Sequence, residues 1–266
     1  MENLQNLDQF PEAAASVQAS AATAASQLSA RQTKPQKKVP EITTGLRADV
    51  IRIPGAIYDC SGIRIHGRRV KSLIFTTDIS IILNNNADAV LAVYPFTPHP
   101  AIVQAITSVA PMPVLAGVGG GTTQGSRCAQ IAMLAEAQGC IGVVVNAPTP
   151  LTSIRMIRDV VDCPIVGTIV SGYQNITSRI EAGINILNVS GGKETSRIVR
   201  AIRKGHPDIP IIATGGPTED SIREVIAAGA NAITFTPPEN GVLFRSKMDK
   251  YRQTAEDQFE DDHKLI

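Results

Sequence analysis

Residues 213–235 read ATGGPTEDSIREVIAAGANAITF, and the order of residue types in this stretch decides the fold. A short apolar run at 211–213 ends in Thr214-Gly215-Gly216, Pro217 opens a helix, Gly229 closes it, and a second apolar run begins at Ala232. Proline suits the first helical turn and glycine the position just past the last one. The same order of helix, glycine and apolar strand recurs at Gly139 and Gly183, so one structural unit is repeated along the chain.

Eight apolar runs fit this unit, at 73–75, 89–94, 114–118, 141–145, 165–170, 186–189, 211–213 and 232–235. They are rich in Ile and Val and do not alternate with polar residues, as expected of parallel strands buried on both faces and joined by helices. The intervening stretches have helical spacing: Leu151, Ile154, Ile157, Val160 and Val161 share one face, with Arg155, Arg158 and Asp159 on the other. Eight such units without a charged central strand predict an α/β fold, a closed (β/α)8 TIM barrel, with an open doubly wound sheet as the alternative. The first unit is the shortest, since ISIILNNN at 79–86 allows barely two helical turns.

Three segments are expected. Residues 1–42, rich in Ala, Ser, Gln and Lys, read as a flexible tail that cannot bury enough surface to offset its ordering entropy. An Ala-rich helix over 13–28 that docks on a partner subunit is the alternative. Residues 43–69 alternate apolar and polar positions around Pro54-Gly55 and Ser61-Gly62, which predicts a short β-ribbon plugging the N-terminal mouth of the barrel. Residues 70–266 form the barrel and a charged C-terminal helix.

Composition narrows the function. The 266 residues carry 25 Lys+Arg against 24 Asp+Glu, a net charge of +1, which excludes the broad basic surface of a nucleic-acid binder. The four cysteines form no CxxC pair, so neither a metal-ligand spacing nor a disulfide framework is read, and no metal or other cofactor is expected. No basic start followed by an apolar run and no stretch approaching about 18 apolar residues occurs, so a cytoplasmic protein with no membrane partner is expected. The helices between 72 and 192 carry four arginines and no lysine, and SRCAQIAMLAEAQG at 126–139 has almost no charged outer face, which predicts a homo-oligomer.

In such a barrel, chemistry sits just after each strand. Three segments there are glycine-rich: GVGGGTTQG with Gly119, Gly120 and Gly121; Ser190-Gly191-Gly192; and Thr214-Gly215-Gly216. Glycines before a helix aim backbone N–H groups at an anion, although each is also the residue a tight strand-to-helix turn requires. Asp78 is the carboxylate directly at a strand end, placed either as a general base or as the cap of the next helix. Lys193 is the lysine on this rim, an electrophile or a charge clamp, or a solvated side chain. Asn146, Asn188 and Ser171 are placed to orient hydroxyls or an oxyanion. His99, between two prolines, is the histidine nearest this face, either aimed inward or lying in a surface turn.

The run 213–235 resembles the closing part of phosphate-binding (β/α) barrels such as ketodeoxyphosphogluconate aldolase, N-acetylmannosamine-6-phosphate epimerase and thiamine-phosphate synthase. The resemblance implies a phosphate held by Gly215 and Gly216. Two departures stand beside it: the last strand runs into Thr236-Pro237-Pro238-Glu239, where proline has no N–H to donate, and the sixth strand has Leu187-Asn188-Val189-Ser190 where the aldolases place their lysine.

The expected function is a lyase (aldolase-like) or isomerase acting at a carbonyl of a small phosphorylated or polyhydroxylated metabolite. Asp78, Lys193 and Asn146 would be catalytic; Gly119, Gly120, Gly121, Ser190, Gly191, Gly192, Thr214, Gly215 and Gly216 would bind substrate or phosphate. A non-catalytic phosphate-ligand-binding barrel serving as sensor or assembly module, and a flavin or nucleotide enzyme using GVGGGTTQG, are the alternatives.

Overall fold

The computed structural model describes residues 40–47 and 49–263, with side chains to residue 259. The tail, including the Ala-rich stretch at 13–28, lies outside the described residues except for its last three. The chain divides into two units, Met1–Gly45 and Leu46–Ile266, and the second contains the whole barrel.

The eight apolar runs form the strands β3 (Ser72–Phe75), β4 (Ala89–Ala92), β5 (Val114–Gly119), β6 (Gly142–Val145), β7 (Ile165–Ile169), β8 (Ile186–Val189), β9 (Ile211–Thr214) and β10 (Ala232–Phe235). All pair in parallel, and β10 returns to β3 to close the barrel. The helices are α1 (Ile79–Leu83), α2 (Pro100–Val109), α3 (Gly125–Ala137), α4 (Leu151–Arg158), α5 (Ile176–Glu181), α6 (Thr195–Gly205), α7 (Glu219–Ala227) and α8 (Asn240–His263). The short first unit yields the five-residue α1. No helix among the described residues is long and apolar enough to cross a membrane.

Each strand is apolar on both faces because each face meets its own core. Ile74, Val90, Ala116, Val143, Ile165, Leu187 and Ile233 point outward to the helices. Leu73, Leu91, Leu115, Val144, Val166, Ile186, Ile212 and Ala232 form a separate cluster inside the barrel. Successive side chains on a strand point to opposite faces, so the next inward residue is two positions on. That step carries the interior from apolar to polar: Val144 to Asn146, Val166 to Thr168, Ile186 to Asn188, Ile212 to Thr214 and Ala232 to Thr234.

The ribbon is shorter than the sequence pattern implies. It consists of β1 (Ile63–Ile65) and β2 (Arg68–Val70), antiparallel and joined by His66-Gly67, both at positive φ (46° and 81°), as a two-residue hairpin turn demands. Residues 50–53 do not pair with it. Ile51 instead bonds Asn84 and Asn86 beyond α1, and Pro54, lacking an N–H for a ladder, leads into a 3-10 turn at Gly55–Asp59. Ile63, Ile65 and Val70 join the inner cluster, so the ribbon packs against the inside of the barrel at the starts of its strands.

The charge-poor outer face of α3 exposes Met133 and Leu134, and with Met156 and Val160 beside α4 it borders an apolar groove of about 360 Å³. Glu136 does not interrupt this face as a free charge, because its carboxylate accepts from the N–H groups of Asp162 and Cys163.

Candidate active site

Three cavities open among the loops that follow the strands, and they meet at Thr214-Gly215-Gly216. The central lobe, about 230 Å³, lies inside the barrel rim and is floored by Leu91, with Phe75, Val93, Asn146, Thr168, Asn188, Ser190, Thr214, Thr234 and Thr236 around it. None of these residues is ionisable. A second lobe of about 530 Å³ lies between the N-terminal ends of α6 and α7 and shares Ser190 and Thr214 with the first. A third, of about 520 Å³, lies between Pro54 and Ile57 on one side and Thr236-Pro237-Pro238 on the other.

Two side chains in the central lobe stand out by their lack of partners. Asn188 is 7% exposed and Thr234 4%, yet Asn188 Oδ1 and Thr234 Oγ1 have no hydrogen-bond partner among the described residues. Buried polar atoms are ordinarily paired, and one left alone costs about 1–3 kcal/mol. Asn146 is held by its backbone, which donates to Gly119 O and accepts from Thr149 N. A Cβ at Gly120, which sits at φ 127°, would overlap the Asn146 side chain, so this glycine permits a close approach that fixes the asparagine. Behind the same loop, the buried guanidinium of Arg179 on α5 donates to the carbonyls of Ala147 and Thr149. Burial among carbonyls, with no compensating carboxylate bond, pushes its pKa below the usual value.

Of the candidates read from the sequence, Asn146, Asn188, Ser190 and Thr214 line the central lobe, and Ser190, Gly192, Lys193, Thr214, Gly215 and Gly216 line the second. Gly119, Gly120, Gly121, Gly191, Ser171, His99 and Asp78 line none of the three. The glycine-rich segment after β5 closes on itself, with Gly120 N donating to Thr123 O and Thr123 N to Gly120 O, so those amides face each other across a tight turn. Gly191 N is likewise taken by Thr195 Oγ1. The amides of Gly120 and Gly191, read from the sequence as part of an anion cradle, are thus engaged within their own turns.

Asp78 is a cap. Its Oδ1 accepts from Ser80 Oγ at 2.6 Å, Ser80 N at 2.8 Å and Ile81 N at 3.2 Å. The Ser80 hydroxyl, followed by those backbone N–H groups, holds the carboxyl below the usual range against the effect of burial, which makes it a weak proton acceptor. A carboxyl with a lowered folded pKa contributes stability above its unfolded pKa and loses it as pH falls through the folded value. Asp78→Ala is expected to cost about 1 kcal/mol at neutral pH, whereas Asp78→Asn keeps the cap and removes this part of the acid dependence. Urea denaturation of both variants across pH 2–7 checks it; an Asp78→Ala variant as stable as the parent would refute the cap. His99 also caps a helix, with Nδ1 accepting from Ala101 N at the start of α2.

The turn after β9, where the resembled barrels hold phosphate, is occupied by protein groups. Thr218 and Ser221 form a reciprocal capping box at the start of α7, and Glu219 and Asp220 follow in its first turn. Two carboxylates at a helix N-terminus oppose a bound anion. Lys193, exposed in the 3-10 turn Gly192–Glu194, is the cation among the residues that line the second lobe. Glu224, on the same lobe, has its carboxylate engaged by Ser196 and Arg200, which lower its pKa. Among the described residues, no group of three or more His, Cys, Asp or Glu side chains is placed to hold a metal ion.

Reading residues just beyond each strand missed Phe75, Val93, Thr168 and Thr234, which lie within or directly at strand ends. The signal that finds them is the two-residue step from the inward apolar position to the next inward one.

No protein-family model and no curated protein matches the chain. Among solved structures, it is similar to a putative phosphonomutase from Burkholderia cenocepacia J2315 (TM-score 0.53, 15% identity, 70% of this chain and 93% of that one). It is also similar to a phosphonopyruvate hydrolase in complex with oxalate and Mg++ (0.53, 12%, 73% and 83%). A third is phosphoenolpyruvate phosphomutase from Streptomyces platensis subsp. rosaceus (0.52, 15%, 77% and 86%). At such identities the likeness is one of architecture: the chain is an α/β protein with the closed (β/α)8 barrel that these proteins share, and the two aldolase and epimerase families it resembles in sequence are not among them.

Proposed function

We propose that this barrel is an enzyme of the lyase (aldolase-like) or isomerase type, acting at a carbonyl of a small phosphorylated or polyhydroxylated substrate at the C-terminal end of its strands. The observation that carries this reading is the meeting of an uncharged, hydroxyl- and amide-lined lobe with a second lobe that holds Lys193. Lys193 clamps the anionic end of the substrate or adds to its carbonyl as an amine, and Asn146 donates from its side-chain amide to the oxygen that gains charge. The fold analogy to phosphonate-handling barrels supports the reading without specifying the reaction.

A specific observation also favours the second reading, a ligand-binding barrel without catalysis: the central lobe has no ionisable side chain. One experiment separates them. The protein is incubated with dihydroxyacetone phosphate, glyceraldehyde 3-phosphate and pyruvate, turnover is followed by NMR, and borohydride trapping is mapped by mass spectrometry. Conversion of a phosphorylated member, with affinity about tenfold weaker in Lys193→Met, is the expected result. Saturable binding without turnover supports the sensor, and neither binding nor turnover overturns both.

A further inference from the structure

Resting on the reading that these lobes are the ligand site, we propose that the central lobe takes a neutral, hydroxyl-bearing end of the ligand, and that Asn188 and Thr234 select it. The anionic end then lies in the second lobe with Lys193. Charge decides the first half of this assignment. A carboxylate or phosphate in the central lobe would be desolvated without a cation, because no ionisable residue lines it, and its loss of hydration far exceeds what threonine and asparagine bonds return.

Hydrogen-bond bookkeeping decides the second half. Asn188 Oδ1 can only accept, so it needs a donor; Thr234 Oγ1 can do either. An aliphatic fragment leaves both unpaired. A carbonyl or ether leaves Asn188 Oδ1 unpaired, and an ammonium ion satisfies it but brings a charge with no counter-ion. A neutral group that both donates and accepts, such as a hydroxyl, meets the need of Asn188 Oδ1 for a donor and suits the Thr234 hydroxyl, without bringing a charge. Both residues are on the barrel interior, on β8 and β10, and are flanked along their strands by buried apolar residues, Leu187, Val189 and Ile233. An aliphatic side chain would suit either position better if stability alone were served, so the pair is read as a binding device retained at a cost in stability.

This makes ligand-free stability and ligand selectivity move in opposite directions. In the full-length protein, glycerol 3-phosphate is expected to bind about tenfold more tightly than n-propyl phosphate, which has the same anion and no hydroxyls. Thr234→Val and Asn188→Leu are expected to abolish that preference while leaving the unfolding midpoint without ligand unchanged or raised. Lys193→Met is expected to weaken both phosphates alike. If neither phosphate binds but glycerol still raises the midpoint of the parent more than that of Thr234→Val, the phosphate part of the reading above fails and this inference stands. Equal affinity for the two phosphates overturns it, as does a clear fall in midpoint in both Thr234→Val and Asn188→Leu, which would make the pair structural. Glycerol and glycerol 3-phosphate stabilising the parent no more than the two variants also overturns it.

Discussion

Gly119→Ala is expected to destabilise the barrel by about 3 kcal/mol or more, the largest effect of any single methyl group at the C-terminal end of the strands. A Cβ at this position would overlap Sγ of Cys128, the nearest heavy atom by far. Cys128 is fully buried on α3, and its thiol donates to Val118 O, so the sulfur has no free direction in which to swing. The backbone at 119 is not in the left-handed region, which leaves close approach of helix and strand as the whole reason for the glycine. The clash therefore has a specific remedy. In Gly119→Ala/Cys128→Ala the nearest remaining atoms stand at 3.3 Å (Thr123 O) and 3.4 Å (Cys128 Cβ), and the double variant is expected to be about 2 kcal/mol more stable than the single one. Chemical denaturation of the four corners of the cycle measures this. A double variant no more stable than Gly119→Ala would mean that the overlap is not the cause. The rescued protein should also bind glycerol 3-phosphate as the parent does, because Gly119 lines none of the lobes.

That glycine shows where the sequence is legible and where it is not. The eight strands can be read from the chain because each is buried on both faces, so the signal is a local run of Ile and Val that needs no knowledge of neighbours. Which residues of a run face inward is a different matter, since it depends on the phase of each strand in the closed barrel. Thr168 and Thr234 pass as ordinary β-branched strand residues until closure turns them into the lobe. Asp78 and the glycine-rich turn fail for another reason: a carboxylate or a glycine at a strand end has the same residue type whether it caps, turns or binds. Only the partners decide, and here they are Ser80 for Asp78, Thr123 for Gly120 and Cys128 for Gly119. The extent of the ribbon is illegible because Val50, Ile51 and Ile53 are apolar as in a strand, while the hydrogen bonds of Ile51 and Ile53 go to Asn84 and Asn86.

Arg203→Ala is expected to cost about 3 kcal/mol and to leave ligand binding unchanged. Arg203, near the end of α6, donates to Gly229 O at 2.8 Å, Pro207 O at 2.9 Å, Ile209 O at 2.6 Å and Asn231 Oδ1. Asn231 passes the connection on: its Oδ1 also accepts from Ile211 N, its Nδ2 donates to Ser61 Oγ, and its carbonyl accepts from Gly62 N just before the ribbon. One guanidinium thus ties a helix end, the starts of β9 and β10 and the plug at the N-terminal mouth. Lysine cannot reproduce this, because a single ammonium does not reach acceptors spread along a planar fork, so Arg203→Lys should recover only a minor part of the loss. The partners are carbonyls and an amide, not carboxylates, so the loss should change little between low and high salt. Thermal and urea denaturation at two ionic strengths test both points, and a loss that vanishes in salt would mean an ion pair with Asp208, which acts on Arg203 through space, is the real contribution. The contrast with Thr234→Val follows from position alone. At the strand starts Arg203 and Asn231 are engaged in several hydrogen bonds, so removing Arg203 is expected to lower stability, whereas at the strand ends Asn188 Oδ1 and Thr234 Oγ1 have no partner among the described residues, so removing them is not. Opposite responses of the two barrel ends to these substitutions are the result expected if the strand ends bind the ligand, as proposed above.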